Sequence, residues 1–115
     1  MMKIYGVSQS SGVERQLKIE RGIDGIVLTL TDTVGSFERG WIKVPGDHIL
    51  AAITDPPVGG STIEGILQPR GDRMTLDVEV RRNEVWLSVH PGDAADIAVG
   101  LDDFQDALEG AINRV

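Results

Sequence analysis

The chain contains one unit of roughly 55 residues twice, and this internal duplication restricts the possible folds more than any other feature. Residues 3–30 align without a gap to residues 62–89, at an offset of 59, with seven identities in twenty-eight positions. Residues 41–53 align to residues 96–108 at an offset of 55. Because the matches keep their order and fall mainly on apolar positions, both copies should adopt the same local structure.

Each copy shows strand periodicity followed by helical periodicity. Leu17 and Ile19 alternate with polar residues, and the same alternation recurs in the segments before and after them. An aspartate precedes each helical pattern, and Asp47 and Asp102 are therefore predicted N-caps. Each copy is predicted to form four strands and then one helix.

The predicted fold class is α+β, with two tandem β-β-β-β-α repeats forming one pseudo-symmetric domain of antiparallel sheets and packed helices. The repeats span 3–55 and 62–115. A chain of 115 residues is long enough for one core but too short for two, so residues 1–115 are predicted to form a single domain.

This order of elements resembles that of Whirly proteins and Pur-alpha repeats. It is also similar to the actinobacterial sporulation and cell-division regulators built on the Whirly-like fold. The resemblance covers nearly the whole chain, but it lies in the order of elements, and the short basic signature of Whirly proteins has no match here. It implies paired units that bind single-stranded nucleic acid, and it assigns no functional residue.

One face of the predicted sheets combines aromatic and basic residues. If Leu17, Ile19 and their counterparts face the core, the alternate positions form the opposite face. Stacking of unpaired bases needs aromatic rings and nearby cations, whereas an apolar face can instead be covered by a second subunit. The candidate residues for nucleic-acid binding or for an interface are Tyr5, Lys18, Trp41, Lys43, Arg73, Trp86 and His90.

The acidic charge is concentrated in the second copy. The net charge of −7 divides into −1 for residues 1–55 and −6 for residues 56–115, which makes the first copy the better candidate for an anionic ligand. The chain has no cysteine, no apolar run long enough to cross a membrane and no apolar signal-peptide core, so a cytoplasmic location is predicted.

The sequence contains no motif that names a reaction. His48 and His90 each lie beside a turn, without the spacing of metal ligands, and no serine-histidine-acid pattern is present. We therefore expect no catalytic activity, no cofactor and no metal, with an enzyme that uses His48 or His90 as the least favoured option. The leading hypothesis is a homo-oligomeric binding module for single-stranded DNA or RNA with a regulatory role. The alternative is an oligomeric regulatory or structural protein that binds other proteins and no nucleic acid.

Overall fold

The computed structural model describes residues 2–34, 37–67, 73–90 and 95–113, and at 2, 37–41, 67, 90 and 95 it describes the backbone only. Eight strands lie along these residues: β1 (Met2–Val7), β2 (Glu14–Gly22), β3 (Gly25–Asp32), β4 (Phe37–Val44), β5 (Ser61–Leu67), β6 (Arg73–Arg81), β7 (Glu84–His90) and β8 (Ala95–Gly100). Helix α1 (Gly46–Thr54) follows β4, and helix α2 (Leu101–Ile112) follows β8. The elements therefore occur in the order predicted from the sequence.

The predicted fold class is nevertheless wrong. All eight strands form one closed antiparallel barrel in chain order, and the protein is mostly β. The resemblance to Whirly and Pur-alpha proteins implied the same α+β repeat fold, and the closed barrel overturns that expectation as well. Alternation of apolar residues identifies the inner face of a strand, but it does not tell whether the edge strands of two sheets pair with each other. Here β1 pairs with β8, and β4 pairs with β5, so none of the described strands keeps a free edge.

The strand register reproduces the duplication. In β1 and β2, Ile4 lies opposite Leu17, and their counterparts Ile63 and Leu76 lie opposite each other in β5 and β6. The pairs that close the barrel correspond as well. Val7 pairs with Ala98 where β1 meets β8, and Ile66 pairs with Lys43 where β5 meets β4. We call these junctions the β8–β1 seam and the β4–β5 seam.

A glycine lies at each seam because the two backbones approach too closely for a side chain. A Cβ atom at Gly6 would overlap the carbonyl oxygen of Ala98. The matching glycine, Gly65, would place a Cβ atom 2.7 Å from the carbonyl oxygen of Lys43. Real Cβ atoms do not approach carbonyl oxygens this closely, so the presence of glycine at this position in both copies reflects barrel closure.

The core lies inside the barrel and was identified correctly from the alternation. Inward-facing side chains of the strands and the buried side chains of both helices form one apolar cluster. Each full burial of a large apolar side chain stabilises the fold by about 2 kcal/mol. The predicted core residues Leu17, Ile19, Leu28, Leu76, Val78 and Leu87 are all buried.

Each helix packs on strands of the other copy. Both helices leave the barrel at the end that carries the β2–β3 and β6–β7 turns, which we call the helix end. Helix α1 contacts β5, β6 and α2, whereas α2 contacts β1 and β2 in addition to β7 and β8. Ile49 and Ile53 of α1, with Phe104 and Leu108 of α2, are the main apolar contacts. Neither copy therefore completes its core alone.

The predicted N-caps are wrong. Helix α1 begins at Gly46 after Pro45, and α2 begins at Leu101 after Gly100, without a side-chain cap at either position. Asp47 and Asp102 lie in the first helical turns instead. There they still favour the helix, because negative charge near the N-terminus interacts well with the helix dipole.

Substituting alanine at the seam glycines should destabilise the barrel. We expect Gly6→Ala to lower the free energy of unfolding by about 3 kcal/mol or more and Gly65→Ala by about 1 to 3 kcal/mol, because backbone must move. Gly110→Ala is the control, since a Cβ atom on this exposed position of α2 meets nothing within 4 Å. It should stabilise the protein by about 0.5 to 1 kcal/mol. Urea denaturation measures all three, and equal stability of Gly6→Ala and wild type would contradict the seam geometry.

Candidate functional site

Three outward side chains form a row across the β4–β5 seam. Lys43 of β4 pairs with Ile66 of β5, and Ile66 pairs with Arg73 of β6. Because neighbouring strands are about 4.8 Å apart, the backbones of Lys43 and Arg73 lie roughly 10 Å apart on either side of Ile66. The row therefore places one cation on each side of an apolar residue.

A groove of about 340 Å³ lies beside this row. Ile66 and Met74 supply its apolar lining, and Glu64, Arg73 and Thr75 supply its polar groups. Ile66 is 41% exposed although it is a large apolar residue in a strand. An exposed apolar side chain next to a groove and between two cations suits an anionic ligand with apolar parts.

Two further sequence-predicted residues have their backbones near this row, one on β4 and one on β7. Trp41 precedes Lys43 by two residues on β4, and His90 of β7 pairs with Thr75 of the groove. The side chains of Trp41 and His90 lie outside the described part of the structure. Three of the seven candidate residues, Trp41, Lys43 and Arg73, therefore lie at or next to this seam, and His90 lies one strand beyond the groove.

The other three candidates lie elsewhere on the barrel wall. Lys18 of β2 lies opposite Lys3 of β1 and makes an ion pair of 3.6 Å with Glu20. Tyr5 lies on β1, and Trp86 of β7 is joined to that strand through Ala98 of β8. Since the β8–β1 seam is four strands away from the β4–β5 seam, closure of the barrel separates residues that one open sheet face would have kept together.

The β8–β1 seam contains a buried polar network that sequence reasoning missed. The buried Arg15 side chain donates from Nε to Asp32 Oδ1 at 2.9 Å and from Nη1 to the carbonyl oxygen of Asp96 at 2.7 Å. Its Nη1 also donates to Asp96 Oδ1 at 3.3 Å. Arg15 lies on the inward-facing side of β2, with Leu17 and Ile19. Its place in this alternation was the sequence signal that could have predicted a buried arginine.

Asp96 holds the β1–β2 loop onto β8. Its carboxylate accepts hydrogen bonds from the Ser8 hydroxyl at 2.6 Å and the Ser10 hydroxyl at 2.8 Å. It also accepts the backbone N–H groups of Gln9 at 2.9 Å and Ser10 at 3.1 Å. Burial by itself raises the pKa of Asp96, but these hydrogen bonds outweigh it and hold the pKa below its usual value.

The two seams differ because the two copies differ at corresponding positions. Met74 occupies the position of Arg15 in the second copy, and Trp41 occupies the position of Asp96 in the first. The β8–β1 seam is thus closed by satisfied polar groups, which is a structural role. The β4–β5 seam has an apolar groove at the equivalent place and remains the candidate site.

The other groups considered for chemistry form no constellation in the described residues. His48 is exposed near the start of α1. Within the described ranges no three histidine, aspartate or glutamate side chains are grouped to hold a metal ion. None of the helices described is long and apolar enough to cross a membrane.

No protein-family model, curated protein or solved structure matches this chain.

Replacing Asp96 tests the polar network. Asp96→Asn should lower the free energy of unfolding by about 2 to 4 kcal/mol, because Arg15 and the loop donors lose a charged acceptor. The pKa of Asp96 is lowered by folding, so its contribution is complete above about pH 4 and is lost as the pH falls through the folded value.

Denaturation at several pH values measures this contribution. Wild-type stability should fall below about pH 4 more steeply than that of Asp96→Asn. Asp106→Asn, at an exposed position in the middle of α2, is the matched control and should keep the wild-type profile. Identical profiles for wild type and Asp96→Asn would show that the network does not contribute as described.

Proposed function

We propose that this protein is a non-catalytic binding module that takes single-stranded nucleic acid at the β4–β5 seam. The observation that carries the proposal is the row of Lys43, Ile66 and Arg73 beside the groove. Cations neutralise phosphates, while apolar side chains contact the bases of an unpaired strand. A duplex would not present its bases in this way, so the row favours a single strand.

The groove offers contacts for both the phosphates and the bases of a single strand. Arg73 is exposed and Lys43 is half-buried, so both cationic groups can reach phosphates while their stems cover neighbouring apolar surface. Ile66 and Met74 offer an apolar contact for a base between them. Glu64 lies at the groove and opposes phosphate locally, which favours binding across the seam rather than along β5.

The charge on the outside of the barrel differs between the two copies, and this difference favours one path for a bound strand. Lys3 and Lys18 form a pair on β1 and β2, whereas the corresponding pair on β5 and β6 is Thr62 and Asp77. Lys18 is paired with Glu20, but this wall is still less acidic than the matching wall of the second copy. An anionic strand that leaves the groove is therefore repelled less along the first copy. Binding at one seam but not the other agrees with a net charge of −7 for the whole chain.

Neutral substitutions at the seam should weaken binding and its dependence on salt. Lys43→Gln and Arg73→Gln should each reduce the slope of log K against log salt by about 0.7, the value for one phosphate contact of a single strand. Fluorescence anisotropy with labelled dT and rU oligonucleotides at several low salt concentrations measures K.

Arg82→Gln is the matched control for charge. Arg82 is exposed in the turn between β6 and β7, at the helix end, and its replacement should leave the slope unchanged. The proposal fails if wild-type protein binds neither oligonucleotide at low salt, or if Arg82→Gln weakens binding as much as Arg73→Gln.

A second candidate function, self-association, is favoured by the apolar residues at the β8–β1 seam. Tyr5 is 62% exposed and Val7 is 43% exposed, and both are on the outer side of β1. Large apolar residues grouped on a strand exterior are typical of surfaces that a partner covers. We propose that a second copy of the chain covers this part of the wall.

Acidic substitutions at this surface should dissociate the oligomer. Tyr5→Asp and Val7→Asp place a charge in the proposed contact and should shift the mass measured by light scattering to that of a monomer. Ile23→Asp is the control, because Ile23 is 83% exposed in the β2–β3 turn and lies away from the seam. A wild-type mass equal to that of one chain would contradict self-association.

A further inference from the structure

The exterior of β6 and β7 carries a guanidinium group stacked on an aromatic ring. The guanidinium carbon of Arg81 lies 3.9 Å from the centroid of the Trp86 ring. Glu79 holds the same guanidinium through two hydrogen bonds, from Nε to Oε1 at 2.8 Å and from Nη2 to Oε2 at 3.1 Å. A ring face and a bidentate carboxylate are the two groups that recognise arginine in proteins.

This stack is on the surface and can open. The side chains of Arg81 and Glu79 are 50% and 39% exposed, and ion pairs between exposed side chains are weak. The hydrogen bond from Arg81 lowers the pKa of Glu79, so the carboxylate stays charged whenever a cation is near. The ring and the carboxylate are therefore available to a competing guanidinium.

A cavity beside the stack supplies more groups for a cationic ligand. It measures about 300 Å³, and its lining includes Thr62, Asp77, Glu79, Trp86 and Ser88. Thr62 donates to Asp77 at 2.9 Å, which orients that carboxylate. The Nε1 atom of Trp86 is buried and has no hydrogen-bond partner in the described part of the chain. The cavity thus places the carboxylates of Asp77 and Glu79 beside the ring of Trp86.

The barrel itself does not require the stack. The positions of Arg81 and Trp86 are occupied in the first copy by Gly22 and Val27. The first copy builds the same strand pair from these residues, with Glu20 paired to Val27 as Glu79 is paired to Trp86. The indole ring and the guanidinium group are therefore an addition to the second copy, whereas the carboxylate occurs in both copies.

We propose that the outer surface at Trp86 and Glu79 is a binding site for a guanidinium group, with Arg81 as its internal occupant. An external arginine side chain displaces Arg81, stacks on Trp86 and pairs with Glu79, and its stem enters the adjacent cavity. The ligand is free arginine or an arginine in an extended peptide. The site is separate from the β4–β5 seam and does not depend on nucleic-acid binding.

Removing the internal occupant tests this site. In Arg81→Ala, N-acetyl-arginine amide should bind about two- to fivefold more tightly than in wild type, because one exposed cation–π contact no longer competes. Binding is followed by the indole N–H signal of Trp86 in a ¹⁵N-labelled protein, assigned from a Trp41→Phe variant. Wild type should show the same shift of that signal at higher probe concentration. Glu79→Gln in the Arg81→Ala protein should abolish the gain.

The comparison of probes identifies the ligand. An acetylated Gly-Arg-Gly amide that binds more tightly than N-acetyl-arginine amide supports a peptide source, and equal binding assigns the site to the free amino acid. N-acetyl-lysine amide should bind more weakly than either. An unmoved Trp86 signal in Arg81→Ala, or equal affinity for the lysine and arginine probes, overturns the proposal.

Discussion

The close approach of two backbones at Gly6 and Gly65 is the constraint on which the barrel depends. At each glycine one copy meets the other, and a side chain there would collide with the carbonyl oxygen of Ala98 or Lys43. Through these contacts two sets of four strands lose their free edges and become one closed wall. Each helix also packs on strands of the other copy and adds apolar side chains to the core. Helix α1 contacts β5 and β6, and helix α2 contacts β1 and β2.

The symmetric frame carries asymmetric surfaces. At the β8–β1 seam, Arg15 and Asp96 satisfy each other and bind the neighbouring loop, so this junction is closed by hydrogen bonds. At the β4–β5 seam, Met74 replaces Arg15 and a groove lies beside Ile66 and Arg73. One gene duplication can therefore provide a stable junction on one side and a binding surface on the other without changing the strand register.

Part of this structure was predictable from the sequence. The inward positions of Leu17, Ile19, Leu76 and Val78 follow from alternation, because a strand buries every second side chain. The order of strands and helices follows from the change between the two-residue period of strands and the 3.6-residue period of helices. The barrel did not follow, since pairing of β1 with β8 joins residues that are far apart in the chain and leaves no local pattern.

The candidate site was predictable only in its residue types. Lys43 and Arg73 were recognised as outward cations, but their grouping with Ile66 depends on the β4–β5 pairing. Closure of the barrel places Tyr5 on β1 at the opposite seam and Trp86 on β7, between the two seams. Asp96 was missed because it stands in an acidic stretch that is typical of a solvated surface. Its partners Ser8, Ser10 and Arg15 come from the other end of the chain.

Mapping a bound strand onto the backbone tests the central claim, that the two seams have the same frame and different roles. Amide signals of ¹⁵N-labelled protein are recorded during titration with an unlabelled dT oligonucleotide at low salt. The account predicts progressive shifts for Lys43, Ile66 and Arg73, and unchanged signals for Val7 and Ala98 at the matching positions of the other seam. Shifts at Val7 and Ala98, or at both seams alike, would contradict it.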